Sequence, residues 1–577
     1  MVSTTPLRRT WWLPLMLLGL LVPLACGPAA TPTPTATPTP TRAAATPTPT
    51  PTPTPTGVVA TPTARPSPTP TPTPGQAVRR GGEVRQPTTF APVTSYDVHN
   101  VVALAENITL AKLYNNLLFN PGGDAIECDV CERYEVTDQG RGLVFTLRRN
   151  VRFHDGSPMT AADVKYSLDK MMGFVDGVPS GRSGVLAQYV DEVQVVDDST
   201  VKLVLGRPAP AVVPTLALGY SGIVKNGATR EALRAGPMGS GPYRLKEVVS
   251  GSYTLMERNP SYFKEGLPYV DQYRMVNIVD VTAQHSAFIV GRVDFLILAT
   301  VAQPDFLPTL ERMRDEGRIN WHIGAGECPL QGVVVNTQHP VWGKRELREA
   351  LHLLLDRDAW KTLVYEGRGT PTTLFHAGTQ WGRSLEEVNS LPGYRKPKDA
   401  DIQRARELVA QAGYPNGFDT VITGRAVLVH WMRPAEYLVS DLQKIGIRAT
   451  LRLIEGPQLF PFLERGEFEL APGRYCFTTG DPDDILFGYY ITGAARNYAD
   501  YSNKEFDDLV LAQSQELDPV KRRELVLRLE EILLRDLPVI PSVDGEVDMF
   551  WSARVQGWSP GLSRQTQERM ETVWLAP

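Results

Sequence analysis

Leu143, Phe145 and Leu147 alternate with small or polar neighbours, and Val201, Leu203 and Leu205 repeat the pattern after the turn-forming Asp197-Asp198-Ser199. A period of two predicts half-buried strands. Gly241 to Leu245 and Ser252 to Leu255, on either side of Ser250-Gly251, predict a further strand pair. Beyond residue 340 the period lengthens. Leu347, Leu351, Leu354 and Leu355 form one helical stripe, and Ile402, Ala405, Leu408, Val409 and Ala412 form another that Gly413 closes. Ser502-Asn503-Lys504-Glu505 reads as a capping box, and Asp518-Pro519 reads as an N-cap followed by proline at the first helical position, ahead of Leu525, Leu529, Ile532 and Leu533. Strands are interleaved at Val333 to Val335 and Ile447 to Leu453. The expectation is an α/β chain, sheet-rich in its first half and helix-rich in its second.

The first 80 residues follow neither period. Arg8-Arg9, an apolar run from Leu13 to Leu24 and then Ala25-Cys26-Gly27 read as an export signal, because the run is short and broken by Pro14 and Pro23. Ala25-Cys26 resembles a bacterial lipoprotein box, although Pro23 stands where that pattern prefers Leu, and it implies lipidation at Cys26. Thr31 to Pro74 is an almost pure Thr-Pro alternation that has nothing to bury in a core. As polyproline II it would be a semi-rigid spacer reaching on the order of 130 Å. The expected plan is signal 1–26, tether 27–80 and a globular part 81–577.

At 577 residues the chain exceeds what one core serves, so two or more lobes are expected. A net charge of -5 argues against a nucleic-acid surface. Hydrolase motifs are absent: there is no Gly-x-Ser-x-Gly or His-Glu-x-x-His, and none of the 8 His lies four residues from another. Asp481, Asp483 and Asp484 sit on one turn and do not oppose each other across a bond as paired acid/base carboxylates must. No enzyme, cofactor or metal site is expected. Besides Cys26 there are four cysteines, for which disulfides are the default in an exported chain. Cys128-x-x-Cys131 admits a local bridge or a redox or metal pair.

The run Tyr134-Glu135-Val136 through Phe145-Thr146-Leu147-Arg148 to Val151-Arg152-Phe153-His154-Asp155-Gly156-Ser157-Pro158-Met159-Thr160-Ala161-Ala162-Asp163-Val164 resembles the signature of the family 5 solute-binding proteins, the oligopeptide, dipeptide and nickel receptors of ABC importers. Gly239 to Tyr243, Glu257 to Tyr262, Leu438 to Gly446 and Gly480-Asp481-Pro482-Asp483-Asp484 match in the same order. In the signature, Val151 and Phe153 are read as core, Asp155-Gly156 as a turn, and Thr160 with Asp163 as a helix cap.

The resemblance implies an α/β, two-lobed fold of the type II periplasmic-binding-protein kind with an extra subdomain in the first lobe. Lobe I would comprise about 81–327 plus 545–577, and lobe II about 328–544. The crossings would fall near Cys328 to Asn336 and Val539 to Glu546, with the ligand held between the lobes. Peptide-binding members carry, three residues before the acidic-Pro pair, an aspartate for the ligand's amine; this chain has Thr478 there. Tyr475, Cys476 and Phe477 are then read as ligand-facing, with Asp481 and Trp381 as further cleft candidates. Packing in the lobe core is the alternative for Tyr475 and Phe477, core or surface packing the alternative for Trp381, and a structural turn the alternative for Asp481. Cys328 and Cys476 occupy positions similar to a disulfide of oligopeptide-binding members. The implied partners are a peptide and a membrane permease, for a monomer lipid-anchored outside the cytoplasmic membrane. The same fold with an oligosaccharide or nickel chelate is the alternative.

Overall fold

The computed structural model describes residues 78–88, 95–100, 104–121, 126–180, 183–297, 304–324, 330–426, 429–475, 480–494, 496–560 and 569–577. The expected signal, Cys26 and most of the tether lie outside the described residues. Everything described here belongs to the compact unit Ser67–Pro577.

The signature builds a small antiparallel subdomain. Its sheet runs Cys131–Thr137, Gly142–Leu147, Thr200–Leu205, Val190–Asp197. Leu143, Phe145, Leu147, Val201, Leu203 and Leu205 turn to one buried face, as their alternation requires. Val151 and Phe153 enter the same core, and Ser157 N donates to Asp155 Oδ1 at 2.9 Å around Gly156, whose φ is +87°. Thr160 and Asp163 form the capping box that starts the helix Ala161–Met172. Cys128 and Cys131 are disulfide-bonded, with their Cα atoms 5.1 Å apart.

Among the described residues, the rest of the first lobe holds two sheets of more than two strands. One is ordered Glu83–Thr88, Gln272–Asn277, Tyr253–Arg258, Tyr243–Val249; the other is Phe295–Ile297, Val547–Ser552, Ile319–Gly324. The strand Val547–Ser552 comes from near the C-terminus, so the chain returns to the lobe in which it began. Trp551 and Trp558 lie edge to face at 4.8 Å and join Phe295 in that core.

The second lobe is a five-stranded sheet in the order Arg448–Ile454, Asp419–Arg425, Leu470–Tyr475, Leu330–Val335, Val539–Pro541, covered by helices. Both predicted stripes are buried: Leu347, Leu351, Leu354 and Leu355 beside Ala405, Leu408 and Val409. The helix Lys504–Gln515 corrects the expected capping box. Its cap is Asn503, whose side chain accepts from Phe506 N at 3.2 Å, while Ser502 Oγ accepts from Thr492 Oγ1. Asn503 wins because its amide also donates to Asp536 Oδ2, 2.9 Å away on the neighbouring helix. Asp518 caps the helix Pro519–Asp536 as its sequence predicts.

Candidate functional site

Strand direction locates the site. Asp419–Arg425 runs parallel to both Arg448–Ile454 and Leu470–Tyr475, so three strands end at the same edge of the second-lobe sheet. Each is followed within seven residues by a helix, beginning at Val429, Gly456 and Pro482. Open α/β sheets bind ligands outside the carboxyl ends of their strands, where helix N-termini also gather. The strand Leu330–Val335 is antiparallel to Leu470–Tyr475, with Leu330 opposite Tyr475, and therefore starts at this edge. Just before it the chain arrives from the first lobe.

The two connections between lobes are flanked by paired strands. On the first-lobe side Gly324 pairs with Val547; on the second-lobe side Gly332 pairs with Pro541. Residues 325–331 and 542–546 lie between these two pairs. Polar side chains brace this junction: Gln331 Nε2 donates to Asp544 Oδ1 at 2.7 Å, His376 Nε2 lies 2.8 Å from Asp544 Oδ2, and Trp321 Nε1 donates to Asp548 Oδ1 at 2.9 Å. Arg368, of the second lobe, forks onto both oxygens of Asp548, of the first.

The structure describes three of the predicted cleft residues, Tyr475 by its backbone and Asp481 and Trp381 in full. Tyr475 ends its strand at the edge. Its side chain, with Cys476, Phe477, Thr478 and Cys328, lies outside the described residues. Asp481 caps the helix Pro482–Tyr489 by accepting from Asp483 N at 3.0 Å, and both its oxygens are taken by Arg522, Nη1 at 2.7 Å and Nη2 at 2.6 Å. Trp381 is 9% exposed in the second-lobe core, with its ring 5.1 Å from the Arg522 guanidinium carbon. Asp481 and Trp381, distant in sequence, thus share one buried arginine.

Sequence reasoning missed Arg522 and the full part of Asp483. Arg522 lies on an ordinary-looking helix, and only packing brings it under the cleft edge. Besides Asp481 it contacts Asp483 Oδ1 at 3.3 Å and Gln513 Oε1 at 3.1 Å. Burial, and then the charge of Asp481, push the Asp483 carboxyl up to about 6, while Arg522 and hydrogen bonds from Gln513 and Tyr189 oppose the shift. Among the described residues no group of three His, Cys, Asp or Glu is placed to hold a metal ion, and no helix is long and apolar enough to cross a membrane.

The edge and its network suit non-covalent capture. Main-chain groups at strand ends and helix starts can read a polar ligand, and the carboxylates nearby are engaged with arginine. Comparisons with known proteins agree. The chain is 25% identical over 476 residues to the glutathione-binding protein GsiB of Salmonella choleraesuis, covering 79% of this chain and 87% of that one. It is 24% identical over 501 residues to heme-binding protein A of Haemophilus influenzae, covering 82% and 88%. In fold it matches the periplasmic binding protein DppA of Helicobacter pylori in complex with the peptide STSA, with a TM-score of 0.71 at 21% identity, over 86% of this chain and 98% of that one. The family described as bacterial extracellular solute-binding proteins, family 5, matches residues 125–497, and the chain belongs to that family.

Proposed function

We propose that this protein is the extracytoplasmic receptor of an ABC importer, capturing a peptide between its lobes and passing it unaltered to a membrane permease. The observation that carries the reading is the second-lobe edge where three parallel strands end beside the paired crossings, in a chain of a solute-binding family. Tyr475, Cys476, Phe477 and Thr478 form the ligand-facing segment in this proposal. Asp481, gripped by Arg522 under Trp381, holds the following helix in place. Aromatic walls accept varied side chains, while main-chain groups read the peptide backbone. The similarity to a glutathione-binding protein and to a peptide-bound receptor supports a peptide ligand.

Cys26 carries the lipid in this proposal and the Thr-Pro tract is the tether, so a monomeric receptor stays at high effective concentration near its permease. The lobes divide at about 327/328 and 544/545. A Cys328–Cys476 disulfide, at positions similar to one in oligopeptide-binding members of the family, belongs to this proposal. A second reading keeps the fold and changes the ligand to a non-peptide solute; it is favoured by Thr478, which leaves the amine-binding position uncharged, and by the likeness to a heme-binding protein.

The test is a thermal-shift screen of the full chain against free-amine peptides, N-acetylated peptides, oligosaccharides, heme and Ni²⁺. A ligand at 100 times its Kd adds about 2.7 kcal/mol, a shift on the order of a few degrees. Stabilisation by free and blocked peptides alike is expected. Silence from every peptide beside a shift from heme, sugar or metal would overturn the peptide.

A further inference from the structure

Away from the crossings, the lobes meet at a second place. The helix Gly184–Tyr189 and the turn around Gly140, both in the small subdomain, face the helices Pro482–Tyr489 and Lys504–Gln515 of the second lobe. Tyr189 donates its hydroxyl to Asp483 Oδ2 at 2.8 Å across 294 positions of sequence, and each residue is 1% exposed. Ser514 also faces that hydroxyl. The Tyr189 ring stands edge-on to Phe487 at 6.3 Å, and the Arg207 guanidinium covers it at 5.0 Å. Phe487 packs against the cores of both the small subdomain and the second lobe. Beside it, Leu517, half exposed, lies so close over Gly140 that a Cβ there would come within 2.9 Å of Leu517 Cδ1.

Two features set this junction apart from ordinary packing. A carboxylate of one lobe is sealed under a hydroxyl of the other. On its own side, moreover, the carboxylate is held by Gln513 and by Arg522, the same arginine that fixes Asp481 at the head of the helix following the ligand-facing segment. Rotation about the paired crossings would pull Tyr189 away from Asp483 and wet both.

We infer that Tyr189 and Asp483 form a latch that favours the closed arrangement of the lobes and slows ligand release. Its ligand consequence rests on the solute-binding reading above; the latch itself does not. An interaction present in only one of two states biases the equilibrium by its own strength. A hydrogen bond to a charged acceptor corresponds to roughly a tenfold to hundredfold change in population. Because the bond exists only while the lobes meet, it must break in every opening, including the one that releases ligand. Tyr189 acts through Asp483 and is a positioning residue.

The experiment measures the distance between lobes in the full chain without ligand. Spin labels go on ketone-bearing residues introduced at Val196 and Val520, which are 60% and 67% exposed on the two lobes. Double electron–electron resonance should give one short distance for the wild-type chain. Tyr189→Phe, which removes only the hydroxyl, should add a longer distance, raising the open fraction about tenfold or more. Leu517→Ala, an exposed change at the same junction, should act in the same direction to a smaller extent, and it carries the test alone if Tyr189→Phe does not fold. Unchanged distances in the folded variants would overturn the latch. In a second arm, release of reduced glutathione or the peptide Ser-Thr-Ser-Ala should be about tenfold faster from Tyr189→Phe; equal release rates would also overturn it. Failure of every peptide to bind would count against the peptide reading and leave the latch to the distance measurement.

Discussion

Arg522 is 4% exposed and faces two buried carboxylates that differ in how well it satisfies them. Asp481 receives the full fork; Asp483 receives one longer contact and takes the rest of its stabilisation from Gln513 and Tyr189. Asp483 therefore bears the larger burial cost, and its carboxyl is raised from 3.8 to about 6. The sign follows from linkage. Below the unfolded value the group is neutral in both states, and above about 6 it is charged in both, the charge being disfavoured only in the fold. The stability it contributes is present below about pH 4 and is lost as pH rises through 6, by about 3 kcal/mol at most. Asp483→Asn is expected to abolish that loss: the wild-type minus variant difference in urea unfolding free energy should decline between pH 4 and 6 and then stay flat. The charged groups facing this site are Asp481, Arg522 and Arg207, the last through the Tyr189 ring.

At the scale of elements, caps and stripes explain most boundaries. The helix Pro519–Asp536 starts where Asp518 accepts from Val520 N, and the helix Ala161–Met172 starts at Thr160 and stops at Gly173, whose φ is +87°. The exception is the start of Lys504–Gln515. Both Ser502 and Asn503 are competent caps by residue type, and a partner on another helix selects Asn503. Asn503→Ala should therefore cost about 1 kcal/mol and Ser502→Ala within about 0.5 kcal/mol, read from urea midpoints at constant slope. Equal costs would restore the capping box that the sequence alone suggests. This is the limit of local reading: spacing identifies the candidates, and the tertiary neighbour decides between them.

For the whole molecule, the decisive feature is that two lobes with separate cores are joined by two passages of chain whose flanking strands pair. The second passage contains Gly545, where a Cβ would stand 2.3 Å from Tyr365 Cδ1, and Tyr365 is itself 2% exposed. No side chain fits unless that ring moves. Gly545→Ala is expected to destabilise by about 1–3 kcal/mol through overpacking at the passage. Adding Tyr365→Leu should recover part of this loss, a non-additivity that a double-mutant cycle measures. Full additivity would mean that the ring is not the obstacle.

The sequence by itself determined the elements and the kind of fold. Alternation marked the strands of the small subdomain, helical stripes marked the helices of the second lobe, and the run from Tyr134 to Val164 carried the family. These are local signals, because side-chain period and cap chemistry act over a few residues. The tertiary structure decided which charges meet. Arg522 joins Asp481 across 41 positions, Tyr189 joins Asp483 across 294, and Arg368 reaches Asp548 across 180. Such pairs depend on how lobes and helices pack, and no periodicity encodes that. The edge of the second lobe was readable as a sheet, but its candidacy as a site came from strand direction and from the lobe connections that start near it, which exist only once the chain has folded back on itself.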